Sequence, residues 1–179
     1  MTTLAISASP RTRALGVVLA AGVLALASQF ALPIPGTPVP ITLQPLVVVL
    51  AGLMLGPVDG AAAMVLYLVA GAAGLPVFSP FGAPGLLRLL GPTGGYLLAY
   101  PVAAAVAGRF GAGSPSYITR AIAAASGILV LYVGGLSQLA VITGSFGRAA
   151  AQGVLPFVAI DAVKALIAAA VARRRRSTI

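Results

Sequence analysis

The stretch PFVAIDAVKALIAAAVARRRR, residues 156–176, decides what kind of fold this chain adopts. Between Pro156 and Arg173 every residue is apolar and suited to a helix except Asp161 and Lys164. A helix apolar all round belongs in a membrane or a large core, and a run of arginines at its end is a juxtamembrane signature. Asp161 and Lys164 are then the feature to explain. The chain has only two acids, Asp59 and Asp161, and a single lysine. Each charge at the centre of a membrane helix costs about 2.5 to 3.5 kcal/mol on insertion scales.

The rest of the chain agrees with a membrane reading. Of 179 residues, 60% are hydrophobic and 7% charged, and the mean hydropathy is +1.09. Soluble domains carry about 25% charged residues, so these residues cannot assemble a water-facing surface. The net charge of +9 is not that of a nucleic-acid binder, because it is not spread over one face. Arg11 and Arg13 precede the first apolar run, Arg109 and Arg120 flank a short loop, and Arg173 to Arg176 end the last helix. Those are positions that set orientation and meet anionic lipid.

Proline and glycine clusters cut the chain into six spans, at about residues 13–32, 41–55, 61–75, 93–109, 117–143 and 154–172. The expected fold is an all-α integral membrane protein, a single membrane domain of six transmembrane helices. The second and third spans are short, and Gly134-Gly135 offers a kink in the fifth. The first run, closing on ALAS at 25–28, mimics a signal peptide. The apolar run continues through QFALPI, so it is expected to be retained as a helix. Six spans place both termini on one side, with Arg11, Arg13, Arg109, Arg120 and the four terminal arginines; only Arg88 and Arg148 lie opposite. The positive-inside rule puts that richer side, and both termini, in the cytoplasm.

Asp161 and Lys164 sit about 10 to 15 Å along the last helix from its outer end. Their i,i+3 spacing puts them on one face, close enough to pair. They are either a self-neutralising structural pair or part of a ligand site, and intramembrane ionisable groups usually mark the latter. Arg88, in GLLRLLGPTGGY, is the second candidate; a snorkelling loop arginine is the alternative. Turned inward, Arg88 would bring the cluster to +1, a charge that one carboxylate neutralises through paired hydrogen bonds. Gln44, Tyr67, Tyr96, Tyr132 and Gln138 are the larger polar side chains within spans, each either an interhelical hydrogen-bonder or, for Gln44 above all, a ligand contact. In the first span Gly16 with Ala20 and Ala21 with Ala25 have small-xxx-small spacing, which serves packing in the bundle or docking to another membrane protein.

Five stretches in order carry a resemblance: PIPGTPVPITLQ (33–44), GLMLGPVDG (52–60), YLVAGAAGLPVF (67–78), GPTGGY (91–96) and DAVK (161–164). Together they resemble the BioY family, the biotin-specific substrate-capture components of energy-coupling-factor transporters. The resemblance implies six helices, an outward-facing biotin site, and a partner complex of one transmembrane coupling protein with two ATPases. Its expected location is the bacterial cytoplasmic membrane. Asp161 and Lys164 match the family's acidic and basic ligand residues of the last helix, and Arg88 is placed by its distance before GPTGGY. With Gln44 and Tyr96 they make the expected substrate-binding set. The segment SPFGAPGLL (79–87) departs from the family's more glycine-rich pattern, and the chain has no asparagine, so an amide contact to the ureido ring must come from glutamine or backbone. The small-residue spacing of the first span, Gly16, Ala20, Ala21 and Ala25, resembles the family's docking face.

Other function classes fare poorly. Without His, Cys or Glu there is little for acid–base or nucleophilic catalysis, and a lone intramembrane Asp makes no metal set. No phosphate loop is present, because Lys164 follows DAV and not a glycine. No catalytic residue, metal or cofactor is expected. The alternatives are a stand-alone biotin carrier without the ATPase module, and a membrane adaptor whose Asp–Lys pair is purely structural.

Overall fold

The computed structural model describes residues 9–172; Arg173 to Arg176 of the expected basic end lie outside them. The first helix, α1 (Pro10–Gln29), begins where the Ser9 hydroxyl accepts from the Thr12 N–H and Pro10 fills a position with no intrahelical donor. It stops three residues earlier than the expected span, because Ala31–Leu32 (β1) pair antiparallel with Ile41–Thr42 (β2). This small ribbon, absent from the all-helical expectation, closes the base of the proline-rich loop 33–40.

Next comes α2 (Gln44–Ala72), which is broken at Gly56. There φ is 83° and ψ 178°, a conformation essentially restricted to glycine. A Cβ built on Gly60 would lie 2.9 Å from Gly52 Cα, so the two legs of α2 double back on each other. The expected break at GPVDG is therefore a tight turn without a loop. The second leg ends at Ala72, short of residue 75. A one-turn helix, α3 (Leu87–Leu90), precedes α4 (Gly94–Gly111). Then α5 (Tyr117–Thr143) runs without interruption through Gly134-Gly135, where no kink forms. The last expected span, 154–172, holds α7 (Val158–Val171), while the expected loop before it forms a further helix, α6 (Phe146–Gly153), bent by 53° against α7. Pro156 lies in the bend, where it could not continue a helix.

Three helices, α1, α2 and α5, are long and apolar enough to cross a membrane, and up to four if the bent α6–α7 pair counts as one span. The α2–α4 contact is close: a Cβ on Gly52 would sit 2.1 Å from the Ala104 carbonyl oxygen, so only glycine admits the approach. The main core, with Leu24, Val48, Met64, Tyr67, Tyr100 and Leu131, joins α1, α2, α4 and α5. A second, around Val49, Ala124 and Ala168, brings in α7.

The two ends of the bundle differ. At one, the Arg13 guanidinium grips Asp59 through Nε and Nη2 at 2.9 and 2.7 Å, tying α1 to the Gly56 turn. At the same end Arg120 is buried, not facing lipid headgroups as its loop position suggested. It donates to the Ala169 carbonyl of α7 at 2.8 Å and to the Ser114 carbonyl at 2.7 Å, satisfying acceptors at a helix C-terminus. At the other end the 33–40 loop is hooked to the last turn of α6, Thr37 Oγ1 donating to the Gln152 carbonyl at 2.6 Å. Ser28 and Gln29 hold the 73–86 loop there through the Val77 and Phe78 carbonyls.

Candidate functional site

A cavity opens at the loop-rich end of the bundle. Gln44 reaches it from the first turn of α2, Arg88 from α3, Tyr96 from the first turn of α4, and Asp161 and Lys164 from the first half of α7. All five residues of the expected substrate-binding set line this one cavity. Val39, Phe78, Leu97, Leu131 and Phe157 form apolar walls, and Tyr100 and Tyr132 add aromatic faces with a polar tip.

Asp161 and Lys164 are both 4% exposed. Lys164 Nζ donates to Asp161 Oδ1 at 2.6 Å, and the Tyr132 hydroxyl donates to Asp161 Oδ2 at 2.8 Å. The carboxylate thus has one donor on each oxygen. An ammonium carries three donors, and Lys164 uses one of them on the protein among the described residues.

Arg88 shares the cavity but makes no ion pair with Asp161. It is 6% exposed. Its Nε donates to the Ala83 carbonyl at 2.9 Å, Nη2 to the Ser79 carbonyl at 2.6 Å, and Nη1 to the Ser79 hydroxyl and the Phe81 carbonyl. The expected inward cluster of three charges is therefore a buried Asp–Lys pair on one wall and an arginine on another, holding the 79–83 turn in shape. The physical reason is the fork of the guanidinium: its five donors match several carbonyls of a tight loop at once. Burial lowers the Arg88 pKa from its ordinary value, yet a guanidinium stays charged at neutral pH.

Gln44 Nε2 donates to the Tyr67 hydroxyl at 2.8 Å, and among the described residues its carbonyl oxygen has no donor. Tyr67 stacks on Tyr100 with ring centroids 6.3 Å apart and meets Phe78 edge-on at 5.3 Å. Tyr96 donates to the Gly153 carbonyl, joining α4 to the end of α6. Gln138 stays outside the cavity and donates to the Leu89 and Gly91 carbonyls, the interhelical alternative for that residue.

The small residues of α1 turn toward α2. Ala21 is 8% exposed in the main core, with Ala20 and Ala25 packed against it, and a Cβ on Gly16 would lie 3.2 Å from Leu55 Cδ2. Ala21 is buried in the bundle and Gly16, Ala20 and Ala25 are half-buried, while Leu15, Val18, Leu19, Val23 and Leu26 form the outer ridge. Sequence reasoning did not single out Tyr132 as a site residue, nor Tyr100 at all. Tyr132 offered a signal, being a hydroxyl in an apolar span, but its partner is 29 residues away.

The model of the BioY family matches residues 2–179. A probable biotin transporter BioY of Pyrococcus horikoshii is 45% identical over 137 residues, covering 76% of this chain and 80% of that protein. The biotin transporter BioY of Thermotoga maritima is 36% identical over 141 residues, covering 79% and 83%. That of Rhizobium etli is 34% identical over 174 residues, covering 92% of each. Among solved structures, the S-component for biotin from an ECF-type ABC transporter superposes with a TM-score of 0.85 over 97% of this chain and 96% of that one, at 23% identity. At that identity the likeness is one of fold.

Proposed function

Because the chain belongs to the BioY family, we propose that it captures biotin and carries it across the membrane, as a transport protein and not an enzyme. The observation that carries the reading is the meeting of Gln44, Arg88, Tyr96, Asp161 and Lys164, remote in sequence, around one cavity. In this reading Lys164 meets the biotin carboxylate with its unused donors. The Gln44 carbonyl oxygen and the aromatic walls receive the fused rings, the usual mixture of a few placed polar groups in an apolar pocket. Arg88 shapes the mouth through the 79–83 turn.

The bundle forms one membrane domain crossing six times: α1, the two legs of α2, α4, α5 and the α6–α7 pair. The legs of α2 are short, and the grouping of Arg13, Arg109 and Arg120 at one end supports a cytoplasmic location for that end and for both termini. The membrane is the bacterial cytoplasmic one. The description of the structural neighbour as an S-component of an ECF-type ABC transporter supports a membrane partner, and the family resemblance implies that it is a transmembrane coupling protein with two ATPases. The coupling protein would meet α1 at the edge where Gly16, Ala20 and Ala25 stay half-exposed beside Ala21.

Isothermal calorimetry on detergent-purified protein tests the central claim. Saturable binding of biotin at one site per chain is expected. A well-folded preparation that binds none would overturn it. Uptake by cells that do and do not carry an energy-coupling module then separates the partnered protein from a stand-alone carrier.

A further inference from the structure

Tyr132 lies midway along α5, and its hydroxyl is the second donor to Asp161. A carboxylate that faces only an ammonium is free to turn and present both oxygens to it. Here Oδ2 is occupied by Tyr132 at 2.8 Å while Oδ1 takes Lys164 at 2.6 Å. Asp161 is thereby limited to one contact with the cation. Two of the three Lys164 donors are left for the cavity it lines.

The same hydrogen bond is also a wall. Between α5 and α7 a second, shallower cleft opens on the outside of the bundle, bordered by Ile128, Leu129, Val158 and Ala165. Tyr132 and Asp161 line both this cleft and the ligand cavity. The cleft is otherwise apolar, so a carboxylate released toward it would find no partner, which in a membrane is costly. Aromatic bulk alone would fill the wall, but only a hydroxyl can hold the acid.

We propose that Tyr132 is the positioning residue of this site, holding Asp161 by one oxygen so that Lys164 keeps donors free for an anionic group in the cavity. Tyr132 acts through Asp161 and does not itself grip the anion. Selection for a carboxylate over its neutral ester is therefore set partly from α5. This rests on the reading of a carboxylate ligand given above.

Calorimetry of wild-type, Tyr132→Phe and Tyr96→Phe proteins with biotin and with biotin methyl ester tests it. Wild-type protein should prefer the acid by about tenfold or more, the scale of hydrogen bonds to charged groups. Tyr132→Phe should lose most of that preference, its affinity for the ester staying near the wild-type value. Ester binding then also shows that the variant is folded. Tyr96→Phe, which frees the Gly153 carbonyl and leaves Asp161 untouched, should change both ligands alike. A Tyr132→Phe protein that keeps the wild-type preference, or that loses both ligands equally, overturns the inference and leaves the biotin reading standing. Wild-type protein that binds biotin and ester equally overturns both the inference and the carboxylate contact.

Discussion

Asp161 and Lys164 are buried ionic groups that share a 2.6 Å contact, and such a pair is not by itself a source of stability. Desolvating two charges often offsets their attraction, so a pair kept in an apolar helix invites a role in binding. Truncating one partner of a desolvated charge pair costs about 2 to 5 kcal/mol. Lys164→Ala should therefore weaken biotin binding by tenfold or more, read by calorimetry. Arg148→Ala should leave it close to wild type, since Arg148 is exposed on α6 and does not line the cavity. Equal, small losses for the two variants would mean that the Asp–Lys pair only holds helices together. At this scale the sequence was informative about which residues matter and silent about their bonds. Two charges in an apolar helix stand out in any reading. That Arg88 spends its donors on the 79–83 turn depends on loop carbonyls whose directions no side chain announces.

Among the elements, α1 shows which residues of its small-residue pattern pack into the bundle. Ala21 sits against Leu24 in the main core, whereas a Cβ on its neighbour Gly22 would meet nothing within 4 Å. Ala21→Phe should overpack the α1–α2 contact at a cost of about 1 to 3 kcal/mol, seen as a lower midpoint of thermal unfolding in detergent. Gly22→Leu should leave that midpoint unchanged or raise it, because it replaces glycine within a helix. The reverse ranking would mean that α1 is rotated from its place. In α2, the turn at Gly56 predicts that Gly56→Ala is destabilising by about 1 to 3 kcal/mol, since its φ of 83° has no strain-free alternative. The same assay reads it. The α5 helix coincides with the expected span of about 117–143, with Ser116 capping its start and the left-handed Gly144 following its end. The α6–α7 bend was not legible in the sequence, since α6 is short and its amphipathic pattern is read as loop until the rest of the bundle is in place.

The whole molecule is polarised end to end, and its lack of cysteine makes that polarity easy to probe. Ala112 follows α4 at the end that holds Arg120, and Gly147 lies in α6 at the end that holds the cavity; both are exposed. In intact cells, Gly147→Cys should react with a membrane-impermeant maleimide added outside. Ala112→Cys should react only after the membrane is opened. Labelling of both from the same side would contradict a six-crossing arrangement with the cavity facing out. The Arg13–Asp59 pair at the opposite end lies at the surface, its arginine exposed, and such pairs contribute little to stability, so its worth is in fixing where α1 meets the Gly56 turn.

The sequence by itself determined the solvent this protein lives in and the chemistry available to it. A chain with so few charges cannot face water, and one without His, Cys or Glu has few groups for catalysis. It also carried the family, because short motifs in fixed order survive where their backbone must turn or approach closely. Tertiary structure alone decided what the charges do. Which residues of α1 pack inward, which loop carbonyls Arg88 holds, and which hydroxyl holds Asp161 all depend on distances that only the folded chain sets. Inside a bilayer each buried polar group must find a partner. Which partner it finds is a property of the assembled bundle, fixed only when α2, α4, α5 and α7 have closed around the cavity.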